Sequence, residues 1–326
     1  MRTQDWLWVG YFSALLGLGC DTKAPPATKQ QTLTAQSSSI KHVFVIAMEN
    51  HDARQIYGNH EHAPYLNGTL IPKYAHATNF VDLLALHIPS EPHYVMMEAG
   101  TNAFSDHTFL TDADPSAENS TSDTAHLVTQ IKNANNGVSW RSYQEGLSAS
   151  TGLCPIHSRG FYAAKHDPFV FFHDVAGNPP SADNAYCIAH HRAYDALAAD
   201  LKHDDVASFT FITPNLCHDM HGATDCHEGN AILAGDTWLS TEMPRLIDYV
   251  NKHAGVIFIV WDEGSSELTM PFVAVGPSVK SGYASTLNLA HGSVIKSIES
   301  ILQLPMLATV QGDNGLADLF QPGKYP

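Results

Sequence analysis

Apolar positions along this chain come in two kinds of run. Residues 42–48, 208–213, 255–261 and 271–276 are nearly continuous apolar stretches, the pattern of strands buried on both faces. Residues 123–134, 190–203, 237–252 and 291–303 instead space their apolar side chains at helical intervals. Within 237–252, Trp238, Leu239, Met243, Leu246, Ile247 and Val250 fall at that spacing, and Pro244 predicts a kink. Strands alternating with helices predict an α/β fold with a largely parallel central sheet. Such sheets gather ligands at the carboxyl ends of their strands.

Those ends carry the candidate chemistry. The run ending at Val260 breaks into Trp261-Asp262-Glu263-Gly264, and the run ending at Met48 passes directly into Glu49-Asn50. Negative charge at a buried strand end is costly unless a cation or a substrate uses it. After the strand at 208–213 come Asp219 and His221, two residues apart. In an extended loop they share a face and can grip one ion or one phosphate oxygen; a solvated loop is the plain alternative. Ser90 stands between Pro89 and Pro92 ahead of a helix-like stretch. There it either caps the helix or points its hydroxyl into a cleft whose backbone N–H groups hold phosphate oxygens. Lys165-His166 precedes the aromatic run Phe169–Phe172, offering a cation to an anionic substrate or a salt bridge at a turn. His291 opens the last helix. His51, His60 and His62 lie in a polar loop and read as solvated.

Charge narrows the partners. The 17 Lys+Arg against 33 Asp+Glu leave a net charge of −16, which excludes a nucleic-acid duplex as the expected partner. A phosphate substrate would be repelled too, unless bound cations reverse the local field. Residues 1–20 read as an export signal, with Gly17-Leu18-Gly19-Cys20 resembling a lipoprotein processing site. Lipid on Cys20 would then be the one membrane attachment; ordinary signal cleavage is the alternative. Residues 21–39 read as a flexible tether and 40–326 as one domain. The expected location is periplasmic, on the cell surface, or secreted. Cys154, Cys187, Cys217 and Cys226 remain, and an exported chain is expected to pair them. Three pairings are open; closeness favours Cys217–Cys226 and, by elimination, Cys154–Cys187. A thiolate zinc site is the rival.

The order of motifs goes further. Glu49-Asn50, Ser90-Glu91-Pro92-His93-Tyr94, Lys165-His166-Asp167-Pro168-Phe169, Thr213-Pro214-Asn215 with Asp219 and His221, Gly235-Asp236-Thr237-Trp238-Leu239, Trp261-Asp262-Glu263-Gly264 and His291-Gly292-Ser293 with Glu299 form one series. It resembles the phosphoesterase family of bacterial acid phosphatases and phospholipases C, within the alkaline-phosphatase-like superfamily. The resemblance implies a three-layer α/β/α sandwich and a divalent metal (Ca²⁺, Mg²⁺, Mn²⁺ or Zn²⁺) beside a hydroxyl nucleophile. By motif, Glu49, Asn50, Asp262 and Glu263 would bind metal and Ser90 would be the nucleophile. Asn50, Lys165, His166 and Asp219 would contact substrate. Asp219, His221 and His291 match superfamily positions that hold a second metal or touch phosphate, and His221 or His291 would serve as acid. Two positions depart from the pattern: His51 replaces the usual Arg or Ser, and Glu91 places an extra carboxylate beside Ser90.

The expected reaction is attack by Ser90 on a phosphate ester, through a phosphoserine that water hydrolyses. Phospholipase members are usually longer and carry a further Asp-His pair after the Trp-Asp-Glu motif. Gly264–Met270 lacks that pair and the chain stops at Pro326, so an acid phosphatase is expected over a phospholipase C-type phosphodiesterase. Substrates would be small phosphate esters or lipid headgroups. A non-catalytic metal-binding lipoprotein is the rival from outside enzymology; it explains the histidines and the acidity but not Ser90.

Overall fold

A computed structural model describes residues 40–148, 152–227 and 229–326. The export signal, Cys20 and the tether lie outside them. Among the described residues eight strands form one sheet: β1 (His42–Met48), β2 (Ala75–Val81), β3 (Trp140–Gln144), β4 (His191–Ala193), β5 (Phe209–Thr213), β6 (Gly255–Trp261), β7 (Thr269–Val275) and β8 (Tyr283–Ser285). Their order is β4-β3-β5-β1-β6-β7-β2-β8. Only β7 runs against its neighbours. Every residue of β5 and β6 is buried, so both faces of the sheet centre are covered, as a three-layer α/β/α sandwich requires.

Three helices carry or brace the candidate residues: α1 (Ser90–Ala99), α2 (Ala231–His253) and α3 (His291–Leu302). All ten residues of α1 are buried, which makes it a core element that happens to begin with a serine. Helix α2 starts six residues earlier than the apolar pattern predicts. Asn230 caps it by accepting from the Leu233 N–H at 2.9 Å, and the helix runs unbroken through Pro244. Among the described residues no helix is long and apolar enough to cross a membrane.

Two predicted helices are corrected. In 123–134 the helix begins only at Leu127, behind a buried His126 that holds two carboxylates. In 190–203, His191–Ala193 pairs with β3 as β4, and the helix occupies Leu197–His203. An edge register and the His191–Asp167 ion pair (3.2 Å) override the helical spacing there. Disulfides join Cys154 to Cys187 and Cys217 to Cys226.

Candidate active site

Strands β5, β1 and β6 are neighbours in the sheet, so their carboxyl ends open at one level. Met48 lies in register with Trp261, and the Asp262 N–H donates to the Met48 carbonyl at 3.0 Å. The Glu49 N–H in turn donates to the Asp219 carbonyl at 2.7 Å. Three loops distant in sequence are thereby bolted together by main-chain bonds. Asn50 adopts φ +49°, a left-handed turn that Asn tolerates better than most residues, and its N–H donates to Asp262 Oδ1 at 3.0 Å.

The backbone thus gathers Glu49, Asp219, Asp262 and Glu263, all buried. Ser90, the first residue of α1, is 3 % exposed, and its Oγ lies 3.2 Å from Glu49 Oε2 and 3.0 Å from Glu263 Oε1. The Asn50 amide sits among Glu49 Oε2, Asp262 Oδ1 and Glu263 Oε1. Turned one way its nitrogen donates to them at 3.1, 3.2 and 3.1 Å; turned the other way, its oxygen faces all three. The first orientation suits a cluster with no cation. The second suits five oxygens, Ser90 included, around a hard divalent ion.

Electrostatics agree with a cation. Burial, then the charge of Asp219, holds Glu49 well above the usual carboxylate range; burial and Glu49 do the same for Asp262, and burial and Asp262 for Asp219. Glu263 is raised by burial, against the pull of His93 and the Ser90 hydroxyl. Such a cluster must take up protons or a metal. On the far side of Glu49, its Oε1, His166 Nε2 and Asp219 Oδ2 are buried without a hydrogen-bond partner. His166 Nε2 is 3.3 Å from Glu49 Oε1 and Nδ1 is 3.7 Å from Asp219 Oδ2. Together these three residues form a candidate metal-binding group. The donors fit a divalent ion.

The remaining expected residues divide. Lys165 is close enough to act on Glu49, His166 and His221, and its ammonium is paired with Asp112. Exposed His221 donates its main-chain N–H to Asp219 Oδ1 at 2.7 Å, and its ring lies 6.1 Å from that of His166. Partial desolvation and Lys165 lower its pKa. His291 is buried, donates from Nε2 to the Trp261 carbonyl at 3.0 Å, and is lowered to about 4, mainly by burial. Its Nδ1 is buried without a hydrogen-bond partner. Of the loop histidines, His60 is exposed, His62 faces Glu61, and His51 lies 3.2 Å from the Met220 carbonyl.

Glu91 corrects the expectation that it crowds Ser90. Its Oε2 turns away and accepts from the Ala113 N–H at 2.7 Å, Asn119 Nδ2 at 3.1 Å and Thr111 Oγ1 at 3.3 Å. Burial raises it to about 7 against those bonds. It straps the 111–119 loop to the start of α1.

Sequence reasoning missed the pair beneath Ser90. His93 Nε2 lies 3.0 Å from Asp82 Oδ2 and Nδ1 lies 2.9 Å from the Pro89 carbonyl. Both ring nitrogens therefore donate, as only an imidazolium can. Burial opposes that charge, but the Asp82 bond and the nearby Asp82, Asp262 and Glu263 raise His93 to about 9. Tyr94 stacks on His166 with ring centroids 4.8 Å apart. Both stand within the Ser90–Tyr94 motif, one helical turn on from the serine, and that spacing was the available signal.

Two glycines permit the packing. A Cβ at Gly264 would lie 1.9 Å from the Glu267 carbonyl, and one at Gly235 would lie 2.4 Å from Met220 Cγ. The first closes the loop after Glu263; the second lets α2 press on the loop carrying Asp219. Next to it, Asp236 accepts from the Tyr65 and Leu66 N–H groups at 2.8 and 2.9 Å.

The phosphoesterase family model matches residues 71–305. A Kluyveromyces lactis protein described as "Probable acid phosphatase" is 23 % identical over 298 residues, covering 87 % of this chain and 63 % of the relative. The "Phosphate-repressible acid phosphatase" of Penicillium chrysogenum is 26 % identical over 179 residues, covering 52 % of this chain and 40 % of the relative. The chain therefore spans less than two thirds of the length of these curated relatives. Among solved structures, a protein in the alkaline phosphatase superfamily from Vibrio parahaemolyticus superposes with a TM-score of 0.54 at 11 % identity. It covers 86 % of this chain and 70 % of its own, a likeness of fold.

Proposed function

This chain belongs to the phosphoesterase family, and from that premise we propose that it is a metal-dependent phosphoric ester hydrolase, an acid phosphatase acting through a phosphoserine. One observation carries the reading. A buried serine hydroxyl at a helix start stands 3.0–3.2 Å from two of the carboxylates on neighbouring strand ends.

In this reading Glu49, Asn50, Asp262 and Glu263 hold the metal with Ser90 beside it. An ion held there would supply positive charge to favour the serine alkoxide and to offset the charge of the phosphate. Ser90 Oγ forms the bond to phosphorus as the ester oxygen leaves, and water then cleaves the phosphoserine to orthophosphate and free serine. The His93 imidazolium holds the Pro89 carbonyl and so fixes where α1 presents that hydroxyl. Lys165 draws the anionic substrate inward, and exposed His221 donates a proton to the leaving oxygen. Since His221 is lowered, it carries that proton only in acid, which supports acid operation. Asn50, His166 and Asp219 line the phosphate position. Two disulfides suit an exported protein, with residues 1–20 as signal and Cys20 as the lipid site.

The test is the Ser90→Ala protein with p-nitrophenyl phosphate. Turnover is expected to fall by about 10³-fold or more with the circular dichroism unchanged; wild-type turnover sinks the scheme. Faster hydrolysis of p-nitrophenyl phosphocholine than of the monoester by the wild type would favour a phospholipase C-type diesterase instead.

A further inference from the structure

His221 touches the acid cluster through its main chain and also lines a cavity of about 270 Å³ between the loop after β5 and the start of α2. We propose that this cavity holds the leaving group of the substrate, and that the leaving group is a compact alcohol without negative charge, a single ring or a short polyol. This rests on the reading that Ser90 attacks a phosphate ester and His221 protonates the departing oxygen.

Position is the first observation. An oxygen that takes its proton from His221 departs at the wall of this cavity, so the group it carries has room there. Charge is the second. Among the described residues that line the cavity there is no Lys, Arg, Asp or Glu, and the nearby ammonium of Lys165 is paired with Asp112. A second phosphate on the leaving group would find nothing there to offset it. Asn230, also in the wall, spends its Oδ1 on the Leu233 N–H at 2.9 Å. Size is the third. Gly222, Ala223, Gly229, Ala231 and Ala234 keep the walls short. The volume falls below the roughly 300–1,000 Å³ of sites for drug-sized ligands, enough for one ring and too little for a nucleoside. The walls are also fixed beforehand. The Cys217–Cys226 disulfide closes the loop, the Gly222 N–H donates to the Leu216 carbonyl at 2.9 Å, and the Cys226 N–H donates to the Ala223 carbonyl at 3.0 Å. Gly222, at φ +79°, brings the loop against the helix: a Cβ there would lie 3.0 Å from Ala231 Cβ.

A larger cavity, about 480 Å³, is lined by Glu145, His218, Trp238 and Glu242; it shares Ala234 with the first but not His221. Its carboxylates are already engaged. Glu145 meets His218 and the Asn215 N–H at 2.9 Å each, and Glu242 accepts from the Tyr194 hydroxyl at 2.6 Å and pairs with Arg245. None of the residues placed against the phosphate lines it, so filling it should leave the reaction alone.

Steady-state kinetics on the full chain supplied with divalent metal test this. The wild type is expected to show a KM for 4-carboxyphenyl phosphate about 10-fold or more above that for phenyl phosphate, which differs by one anion on the same ring. Ala231→Leu, which narrows the cavity, should raise the KM for phenyl phosphate by about 10-fold. It should leave competitive inhibition by orthophosphate, which carries no leaving group, unchanged. Thr241→Leu, in the larger cavity, should move neither constant. Equal KM values for the two esters in the wild type overturn the proposal. So does an Ala231→Leu protein whose KM is unchanged, or whose KM and orthophosphate inhibition weaken together, and so does a raised KM in Thr241→Leu. In each of those cases hydrolysis persists and the proposed function stands; a wild type that hydrolyses neither ester overturns both. Should Ala231→Leu fail to fold, Ala223→Leu decides by the same two constants.

Discussion

Helix α1 carries a buried charge cluster at each end, and the two are built on opposite terms. At its far end Glu98 Oε1 receives His126 Nδ1 at 2.8 Å and the Val128 N–H at 2.7 Å, while His126 Nε2 meets Asp174 Oδ1 at 2.9 Å and Thr129 also bonds Asp174. Burial raises Glu98 against its bonds to His126 and the Val128 N–H, Asp174 sits lowered, and His126 is raised despite burial by the bonds to its two carboxylates. That network answers its own charge. At the Ser90 end the carboxylates are raised by burial and mutual repulsion, and two of their oxygens, Glu49 Oε1 and Asp219 Oδ2, are buried without a hydrogen-bond partner. A satisfied buried charge fastens a fold; an unsatisfied one waits for something that is not protein.

The contrast can be broken by substitution. The largest effect expected is on Glu49→Gln, which should lower turnover by about 10³-fold or more while leaving the metal-free protein as stable as wild type, or more so. Activity and urea unfolding measured side by side check this. Its counterpart is His126→Ala, which strands the buried Glu98 and the half-buried Asp174; it should cost about 3–5 kcal/mol in urea unfolding and leave turnover per folded molecule intact. If both variants lose activity and stability together, the two ends do not differ in this way.

A chelator sharpens the comparison further. Stripping the metal should remove about 2.7 kcal/mol of stability relative to protein held at 100 times its dissociation constant. The pH dependence should then change as well. Glu49, Asp219 and Asp262 are raised in the folded state, so the stability they contribute is present below the ordinary carboxylate range and is lost as pH rises through their folded values. Metal-free protein should therefore weaken steadily from about pH 4 upward, and saturating divalent ion should flatten that slope. Urea midpoints across pH, with and without metal, give the answer. His126 runs in the same direction with or without metal, its contribution fading as pH climbs above the ordinary histidine value of about 6.5.

How much of this was legible depended on whether a signal was local. The unbroken apolar runs of β1, β5 and β6 marked themselves, and the residues just past them, Glu49, Asp262 and Glu263, followed by position alone. Strand β2, with Thr78 and Asn79 inside it, and β3, reading Trp140-Arg141-Ser142-Tyr143-Gln144, carry too little apolar pattern to stand out. Strand β4 is three residues inside a stretch with helical spacing. Glu91 beside Ser90 looked like an intrusion because its partners lie 20 or more residues away in sequence. The Asp82–His93 pair was hidden for a related reason: each residue alone has an ordinary explanation, and only their 3.0 Å approach removes it.

The reversed direction of β7 has one more outcome. Because β6 returns at once through residues 262–268, with Asp52 Oδ1 gripping the Ser266 and Glu267 N–H groups at 2.9 Å each, Glu263 sits on a short return braced from the chain that follows β1. Lengthening that return would pull the Ser266 and Glu267 N–H groups away from Asp52, so the place of Glu263 depends on the length of the loop that follows it.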